Sequence, residues 1–368
     1  MTRPRVVVAG LGDSGLLTAI HLARADVDVV GISSKPGLVS GQELGLRLAR
    51  PDDWARDYRI GFDRFRRLDR AEVVHGELVG LDPEARTVDV GDRTIRYDVL
   101  VIATGVSNGF WRRPGFQTDA DVTAGLAAAH DRLGAAPSVL VVGGGAAAVS
   151  SALQLATRWP DKPVTLAFPG DRALPQHHPR VWQVARRRLA SAGVRLLPGH
   201  RAVVPDGSAL DEITTGPVAW STGQPATDAG AVLWAIGKVR PNTDWLPHEL
   251  LDGHGFVRVE PTLRLPGLPD VFAIGDVAAT DRLRSSARNR ADKLLGRNVR
   301  AHLAGRPLVE YRAPRRRWGS VLGPEADGLR VFAPSGHPFR FPAWTVDRML
   351  QPLIVRRGIY GGVRPFRR

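Results

Sequence analysis

The sequence predicts an α/β fold with two parallel sheets, and two observations carry this prediction. Near the N-terminus a buried strand pattern, a glycine-rich turn and a helix pattern follow one another, and the same order recurs from residue 138. Buried strands that alternate with helices give parallel sheets flanked by helices. The chain of 368 residues is long enough for two domains, since domains usually have about 100–200 residues.

The first unit starts with the β-branched run at 5–9, which predicts a buried strand, and continues into a glycine-rich turn at 10–15. Apolar residues at helical spacing follow, and residues 27–32 predict a second buried strand. In a G-x-G-x-x-G turn the first glycine permits the tight bend, the second lets the backbone approach a pyrophosphate, and the third lets helix and strand pack closely. The pattern predicts a phosphate-binding site at the helix N-terminus, made by Gly10, Gly12 and Gly15.

The second unit repeats this order. Residues 139–142 predict a strand, 149–157 a helix and 164–168 a further strand. The turn between the first two has the form G-x-G-x-x-A, with alanine at the third glycine position. Two copies in one chain predict two dinucleotide-binding units, the second with a phosphate turn made by Gly143, Gly145 and Ala148.

Further apolar strands lie between and after these units. One ends in Ala103-Thr104-Gly105, one begins at residue 231, and a third begins at residue 268 and ends in Gly275-Asp276. The order and spacing of all these motifs resemble the FAD-dependent pyridine-nucleotide oxidoreductases with two dinucleotide-binding domains. The resemblance covers about residues 4–304.

In that family a Rossmann-like NAD(P)H domain is inserted into a discontinuous, Rossmann-like FAD domain. The resemblance therefore implies an FAD-binding domain formed by residues 1–112 and 242–305, and an NAD(P)H-binding domain at 113–241. Residues 306–368 form a short C-terminal segment, which is a candidate membrane or interface element.

The resemblance also implies cofactor-binding roles. The FAD pyrophosphate would be held by Gly10, Gly12, Ser14 and Gly15, with Thr104 and Gly105 passing near the cofactor. Asp276 would bind the ribityl chain, because a carboxylate accepts hydrogen bonds from hydroxyl groups and Gly275 before it allows close backbone approach. The NAD(P)H pyrophosphate would lie on Gly143, Gly145 and Ala148.

The sequence departs from the family pattern at both ribose sites. A carboxylate should end the second strand of each unit and bind a ribose. In the first unit no acid follows the strand, and Ser33 or Lys35 is the substitute donor. In the second unit Arg172 follows the strand instead, and an arginine without a carboxylate favours the 2′-phosphate of NADPH.

A third departure concerns the nicotinamide. Many family members have Gly-Val-Glu at the start of the second helix, with the glutamate beside the nicotinamide. Here the sequence is Ala148-Val149-Ser150. Ser150 is either a hydrogen-bonding partner of the carboxamide or simply a small helix residue.

The chain contains no cysteine, which excludes a redox-active dithiol, thiolate metal sites and iron–sulfur clusters. What remains resembles type II NADH:quinone oxidoreductases and apoptosis-inducing-factor-like quinone reductases. In these enzymes electrons pass from NAD(P)H through flavin to a quinone or a similar small acceptor, and the cofactors supply the chemistry. No catalytic side chain and no metal is expected. Residues 38–51 stand where related enzymes begin a segment under the flavin, so we expect them to line part of the acceptor site.

Two other functions stay open on the sequence. The net charge of +14 would attract an acidic electron carrier, as in a reductase of a ferredoxin-type protein. The missing ribose carboxylates and Ser150 leave room for a flavin-binding regulatory or nucleic-acid-binding protein with a decayed nicotinamide site. The sequence contains no recognisable nucleic-acid module, which argues against nucleic acid as the partner.

The C-terminal stretch 341–368 mixes aromatic and aliphatic residues with arginines. Such a segment is suited to an anionic membrane surface, which would give access to a lipid-soluble quinone. The alternative is a tail packed across the domain interface. Its prolines and glycines argue against one continuous helix. Because no signal peptide or spanning segment is recognisable, we expect a cytoplasmic protein, peripheral at the inner face of the membrane if this stretch binds lipid.

Overall fold

A computed structural model describes residues 3–108, 113–204, 210–237, 239–280, 291–312 and 319–365. Up to residue 108 the helices and strands are β1 Arg5–Ala9, α1 Asp13–Leu22, β2 Asp28–Ser33, β3 Gly37–Val39, α2 Leu44–Ala49, α3 Pro51–Tyr58, β4 Arg59–Gly61, β5 Ala71–His75, β6 Leu78–Asp82, β7 Thr87–Val90, β8 Arg93–Arg96, β9 Val99–Ile102 and β10 Val106–Ser107.

From residue 113 to residue 241 they are α4 Asp119–Ala135, β11 Val139–Val142, α5 Ala146–Arg158, β12 Val164–Ala167, α6 Pro179–Ser191, β13 Arg195–Leu197, β14 Ala231–Trp234 and β15 Arg240–Pro241. The remaining ones are β16 Arg264–Leu265, β17 Leu268–Ala273, α7 Ala291–Leu303, β18 Pro324–Glu325, β19 Gly328–Phe332, β20 Pro338–Phe341 and α8 Ala343–Thr345, which continues into a wider π-type helix, Val346–Ile359.

The first sheet has six strands in the order β16-β17-β9-β1-β2-β5. All neighbours are parallel except the pair β16 and β17. Helices α1 and α7 cover one face through buried residues such as Leu16, Ile20 and Leu295. The other face packs on the antiparallel sheet β6-β7-β8 through Val88, Val90 and other apolar residues. A short strand that is buried on both faces needs apolar residues, as residues 6–9 of β1 and the whole of β9 have.

The second sheet has four parallel strands in the order β13-β12-β11-β14. Helices α5 and α6 share its main core cluster. Its strands lie in the chain between β9 and β17, which are neighbours in the first sheet. The predicted α/β architecture, with one parallel sheet inserted into another, is confirmed.

The two chain crossings between the sheets lie side by side. Strands β10 and β15 pair antiparallel, with Val106 opposite Pro241. The following residue, Asn242, ties this junction to the first sheet: its Nδ2 donates to Thr104 O at 2.9 Å, and its Oδ1 accepts from Ser107 Oγ at 2.6 Å. The junction thus holds the carboxyl end of β9 in place.

The C-terminal part bridges the two units. Sheet β18-β19-β20 packs on the second unit, where Phe332 belongs to the main core. Arg188 of α6 pairs with Glu325 at 2.6 Å and with Asp327 at 3.3 Å, and Arg330 pairs with the same two carboxylates. Because Glu325 is nearly buried, this ion cluster fixes the sheet firmly on α6.

The helix that follows packs on the first unit. Tyr360 is buried and its ring meets the Phe65 ring edge to face at 5.2 Å. The sequence argued against one continuous helix over 341–368, and in the structure the helix covers Ala343–Thr345 and Val346–Ile359 and ends before Gly361. Pro352 lies inside the helix, where wider i to i+5 bonding occurs, such as the bond from Tyr360 N–H to Val355 O at 3.0 Å. We call residues 319–365 the C-terminal strap.

Within the described residues, no helix combines the length and the apolar character that crossing a membrane requires.

Candidate active site

A cavity of about 1530 Å³ lies at the carboxyl ends of the strands of the first sheet and reaches the end of β14 in the second. Ligands of open parallel sheets bind at this edge. Nine of the ten predicted FAD-site residues line the cavity, namely Gly10, Gly12, Ser14, Ser33, Lys35, Thr104, Gly105, Gly275 and Asp276, and Gly15 does not.

The first glycine turn has the geometry that the pattern predicts. Gly10 has φ +102°, and a Cβ there would come within 2.5 Å of Ala103 O. A Cβ on Gly15 would overlap Gly10 O, so α1 packs directly on the turn. A Cβ on Gly12 would meet no heavy atom within 4 Å, which leaves the backbone at the start of α1 open to the cavity. The open N-terminus of α1 therefore fits a pyrophosphate.

Gly275 is required by a close approach across the cavity. It has φ +82°, and a Cβ there would lie 3.1 Å from Ser14 Oγ. The next residue, Asp276, is placed at the cavity wall, at the end of β17 and opposite the N-terminal turn of α1. Sequence reasoning missed Asn242, which also lines the cavity and holds the Thr104 backbone.

Sequence reasoning also missed the role of Asp13, the variable residue inside the glycine turn. Its carboxylate accepts hydrogen bonds from Ser40 Oγ at 2.8 Å, from Gly41 N–H at 3.0 Å and from Gln42 Nε2 at 3.2 Å. Asp13 thereby fastens the start of the 38–51 segment to the phosphate turn. Part of that segment lines the cavity, through Val39, Gly41 and Arg47.

Ser33 and Lys35, the predicted substitutes for the missing carboxylate, already have partners in this chain. Ser33 Oγ accepts from Lys35 N–H at 3.1 Å, and Lys35 Nζ donates to Gly115 O at 2.5 Å. Burial lowers the pKa of Lys35 to about 8, partly offset by the attraction of Glu77. Glu77 also lines the cavity.

The second glycine turn is built like the first. Gly143 has φ +146°, and a Cβ there would overlap Ala235 O, whereas a Cβ on Gly145 would meet nothing within 4 Å. Ala148 is fully buried, as close packing of helix and strand requires. None of these three residues lines the large cavity, which approaches the second sheet at Trp234 and Ile236 instead.

Ser150 and Arg172 lie away from the cavity. Ser150 is 6% exposed, and a Cβ on Gly45 of α2 would lie 2.5 Å from Ser150 O. Among the described residues its Oγ has no hydrogen-bond partner. Arg172 donates to the carbonyl oxygens of His177 at 3.3 Å and Pro175 at 3.2 Å. In this structure Ser150 serves the packing of α5 on α2.

We therefore expect Ser150→Ala to leave the dissociation constants of NADH and NADPH within twofold of the wild-type values. Removing an unpaired buried hydroxyl relieves its desolvation cost, so the melting temperature should stay equal or rise slightly. Isothermal titration and thermal denaturation measure both quantities. A loss of nucleotide affinity at unchanged melting temperature would instead support the carboxamide role.

One parallel sheet is inserted in the chain between two strands of the other, and each sheet has a glycine turn that is open to a ligand. This arrangement defines a two-domain dinucleotide-binding oxidoreductase. The chain belongs to the family described as pyridine nucleotide-disulphide oxidoreductases, whose model matches residues 4–295. The protein is accordingly an FAD-dependent oxidoreductase that works with a nicotinamide nucleotide.

Similar proteins include the oxidoreductase ptaL of Pestalotiopsis fici, 27% identical over 88% of this chain and 84% of the relative. The type II NADH:quinone oxidoreductase Ndh of Mycobacterium tuberculosis is 25% identical over 82% of this chain and 73% of the relative. Among solved structures, the water-forming NADH oxidase of Lactobacillus brevis bound to NADH has a TM-score of 0.67 at 20% identity. That likeness covers 94% of this chain and 77% of the other, and it supports the fold.

Proposed function

We propose that this protein passes electrons from NAD(P)H through bound FAD to a quinone or a similar small acceptor. The observation that carries the proposal is one large cavity, which joins the first glycine turn to the end of β14 in a chain without cysteine. Family members that reduce disulfides need a thiol pair, so electrons must leave this protein by another route.

The FAD would lie in the first unit, which we assign to residues 1–112 and 242–305. Gly10, Gly12, Ser14 and Gly15 shape the pyrophosphate site, and Asp276 accepts from the ribityl hydroxyls. Bound there, FAD would supply the redox chemistry that takes electrons from the nicotinamide and passes them to the acceptor. The chain itself binds and orients the cofactor and excludes water from it.

The nicotinamide nucleotide would lie on the second unit, assigned to residues 113–241, with its pyrophosphate at Gly143 and Gly145. Arg172 is the cationic side chain that would favour NADPH. Since its guanidinium is bound to two backbone carbonyls, it must leave them to meet a 2′-phosphate.

A quinone is favoured as the acceptor by the similarity to the type II NADH:quinone oxidoreductase. The surface of the C-terminal strap supports a place at an anionic membrane. Four large apolar side chains are 48% to 60% exposed there, namely Trp344, Met349, Leu353 and Ile354. Exposed Arg348 and Arg357 lie on the same helix. Apolar residues beside arginines suit a lipid interface with anionic headgroups.

An anaerobic titration tests the function. FAD-reconstituted protein is titrated with NADH and separately with NADPH, the visible flavin band is followed, and a quinone analogue is then added. We expect bleaching by at least one nucleotide and prompt reoxidation by the quinone. A flavin band that stays intact under an excess of both nucleotides would overturn the proposal and favour a binding protein. Reoxidation by a ferredoxin but not by quinones would mean that the acceptor is a ferredoxin-type protein and not a quinone.

Vesicle sedimentation tests the membrane contact. The double variant Met349→Glu, Leu353→Glu should release the protein from vesicles that contain phosphatidylglycerol, because both side chains are exposed and their replacement leaves the core intact. Val79→Glu, at an equally exposed site outside the strap, is the control. Equal binding of the double variant and the wild type would remove the membrane from the proposal.

A further inference from the structure

Residues 113–117 cover the carboxyl ends of β2 and β5, and we call them the roof segment. Two side chains that follow β2 hold it in place. Ser34 Oγ donates to Pro114 O at 3.0 Å, and Lys35 Nζ donates to Gly115 O at 2.5 Å. The roof segment lines the same cavity as the first glycine turn.

The end of β5 supports the other half of the roof segment. Gln117 N–H donates to Ser34 O at 2.9 Å, and His75 Nε2 lies 3.1 Å from Gln117 O. The His75 ring stacks on Phe116 with 4.4 Å between centroids. Contacts from two neighbouring strands thus fix the roof over one end of the cavity.

Glu77 lies beneath this roof, two residues after β5. Its side chain is exposed and lines the cavity, and Oε1 lies 4.0 Å from the position of a Cβ on Gly115. The ammonium group of Lys35 is close enough to be attracted by its charge. Within the described residues the Glu77 carboxylate has no hydrogen bond or ion pair, whereas Asp13 and Asp121, which also line the cavity, already accept bonds from this chain.

Glu77 lies close to the end of β2, where the carboxylate that usually binds the ribose is missing. Ser33, the last residue of β2, stands opposite His75 in the parallel register of β2 and β5. Neighbouring strands are about 4.8 Å apart. A carboxylate just past the end of β5 is therefore one strand away from the place where the ribose carboxylate is missing.

We propose that Glu77 accepts the hydroxyl groups of the adenosine ribose of FAD, beneath the roof segment. The inference rests on the proposed function, since it takes FAD as the ligand of the first glycine turn. A carboxylate offers two oxygens to two neighbouring hydroxyl groups, and such charge-assisted hydrogen bonds are stronger than neutral ones. Lys35 positions the roof segment through its bond to Gly115 O, and its charge attracts the Glu77 carboxylate.

Flavin affinity of the full-length apoprotein tests the assignment without reference to turnover. Dissociation constants of FAD and FMN are measured by quenching of flavin fluorescence for the wild type and Glu77→Gln. Glu84→Gln, an exposed glutamate outside the cavity, is the matched control. We expect Glu77→Gln to weaken FAD binding about tenfold. FMN has no adenosine, so its affinity should change less than twofold.

An FAD analogue with a 2′-deoxyadenosine ribose gives an independent measurement. It lacks one of the two hydroxyl groups, so Glu77→Gln should cost clearly less affinity with the analogue than with FAD. Equal affinities of wild type and Glu77→Gln for FAD, or an equal loss for FAD and the analogue, would overturn the assignment alone. A wild-type apoprotein that binds no FAD would overturn the proposed function as well.

Discussion

Gly15→Ala is expected to abolish FAD binding and to destabilise the fold. The added methyl group would overlap the carbonyl oxygen of Gly10, and backbone cannot yield as a flexible side chain can. Overpacking typically costs about 1–3 kcal/mol, and a clash with backbone belongs at the upper end of that range. The turn must open to relieve it, which moves the N-terminus of α1 away from the phosphate. Urea denaturation of the apoprotein and FAD titration measure the two losses.

Gly12→Ala separates cofactor binding from folding. A Cβ there meets no heavy atom within 4 Å, and Gly12 has φ −70°, which alanine adopts readily. The apoprotein should therefore keep its melting temperature. The methyl group of the introduced alanine fills the space through which a pyrophosphate approaches the N-terminus of α1. The affinity for FAD should therefore fall by about 100-fold. Wild-type affinity in Gly12→Ala would mean that the pyrophosphate lies elsewhere.

Glu43→Gln should stabilise the protein at alkaline pH. Glu43 precedes α2 with φ +51°, and burial raises its pKa from 4.5 to about 7. The native state therefore holds a proton that the unfolded state releases, and stability falls as the pH rises from about 4.5 to about 7. Above pH 7 the carboxylate is ionised in both states and its full burial cost is present. The ionised group also faces Tyr58, whose pKa is raised by burial first and then by Glu43.

The substitution should raise the free energy of unfolding by up to about 3 kcal/mol at pH 8. At pH 5 the gain should be below about 1 kcal/mol, because the native carboxyl is then protonated. Urea denaturation at both pH values gives the comparison, with Glu84→Gln as an exposed control. An equal gain at pH 5 and pH 8 would contradict a buried, protonated Glu43.

The parts of the fold that local sequence determines were predictable. Gly10 and Gly143 need positive φ, and their spacing to the following helices follows from the turn itself, so one short window of sequence contains the whole signal. The strand ends at Thr104 and Asp276 were predictable for the same reason. Parallel strands then bring such ends to one edge.

Contacts between distant parts of the chain were not predictable in this way. Nothing in the residues around Ser150 indicates that Gly45 covers it, and nothing around Asp13 indicates three donors from the 40–42 loop. Such pairs become neighbours only after both sheets are placed. The roof segment and Asn242 belong to the same group, since each joins strands that are far apart in sequence.

The C-terminal strap also imposes an order on biosynthesis. The four strands of the second sheet are synthesised before the first sheet is complete, because the first sheet also needs β17 and is covered by α7. The strap is synthesised after both. The bidentate pair of Arg364 with Asp69 joins residues that are 295 positions apart, and the contact of Tyr360 with Phe65 spans a similar distance along the chain. The four strands of the inserted unit can therefore pair on the nascent chain before the first sheet is complete, and the strap then packs on both units.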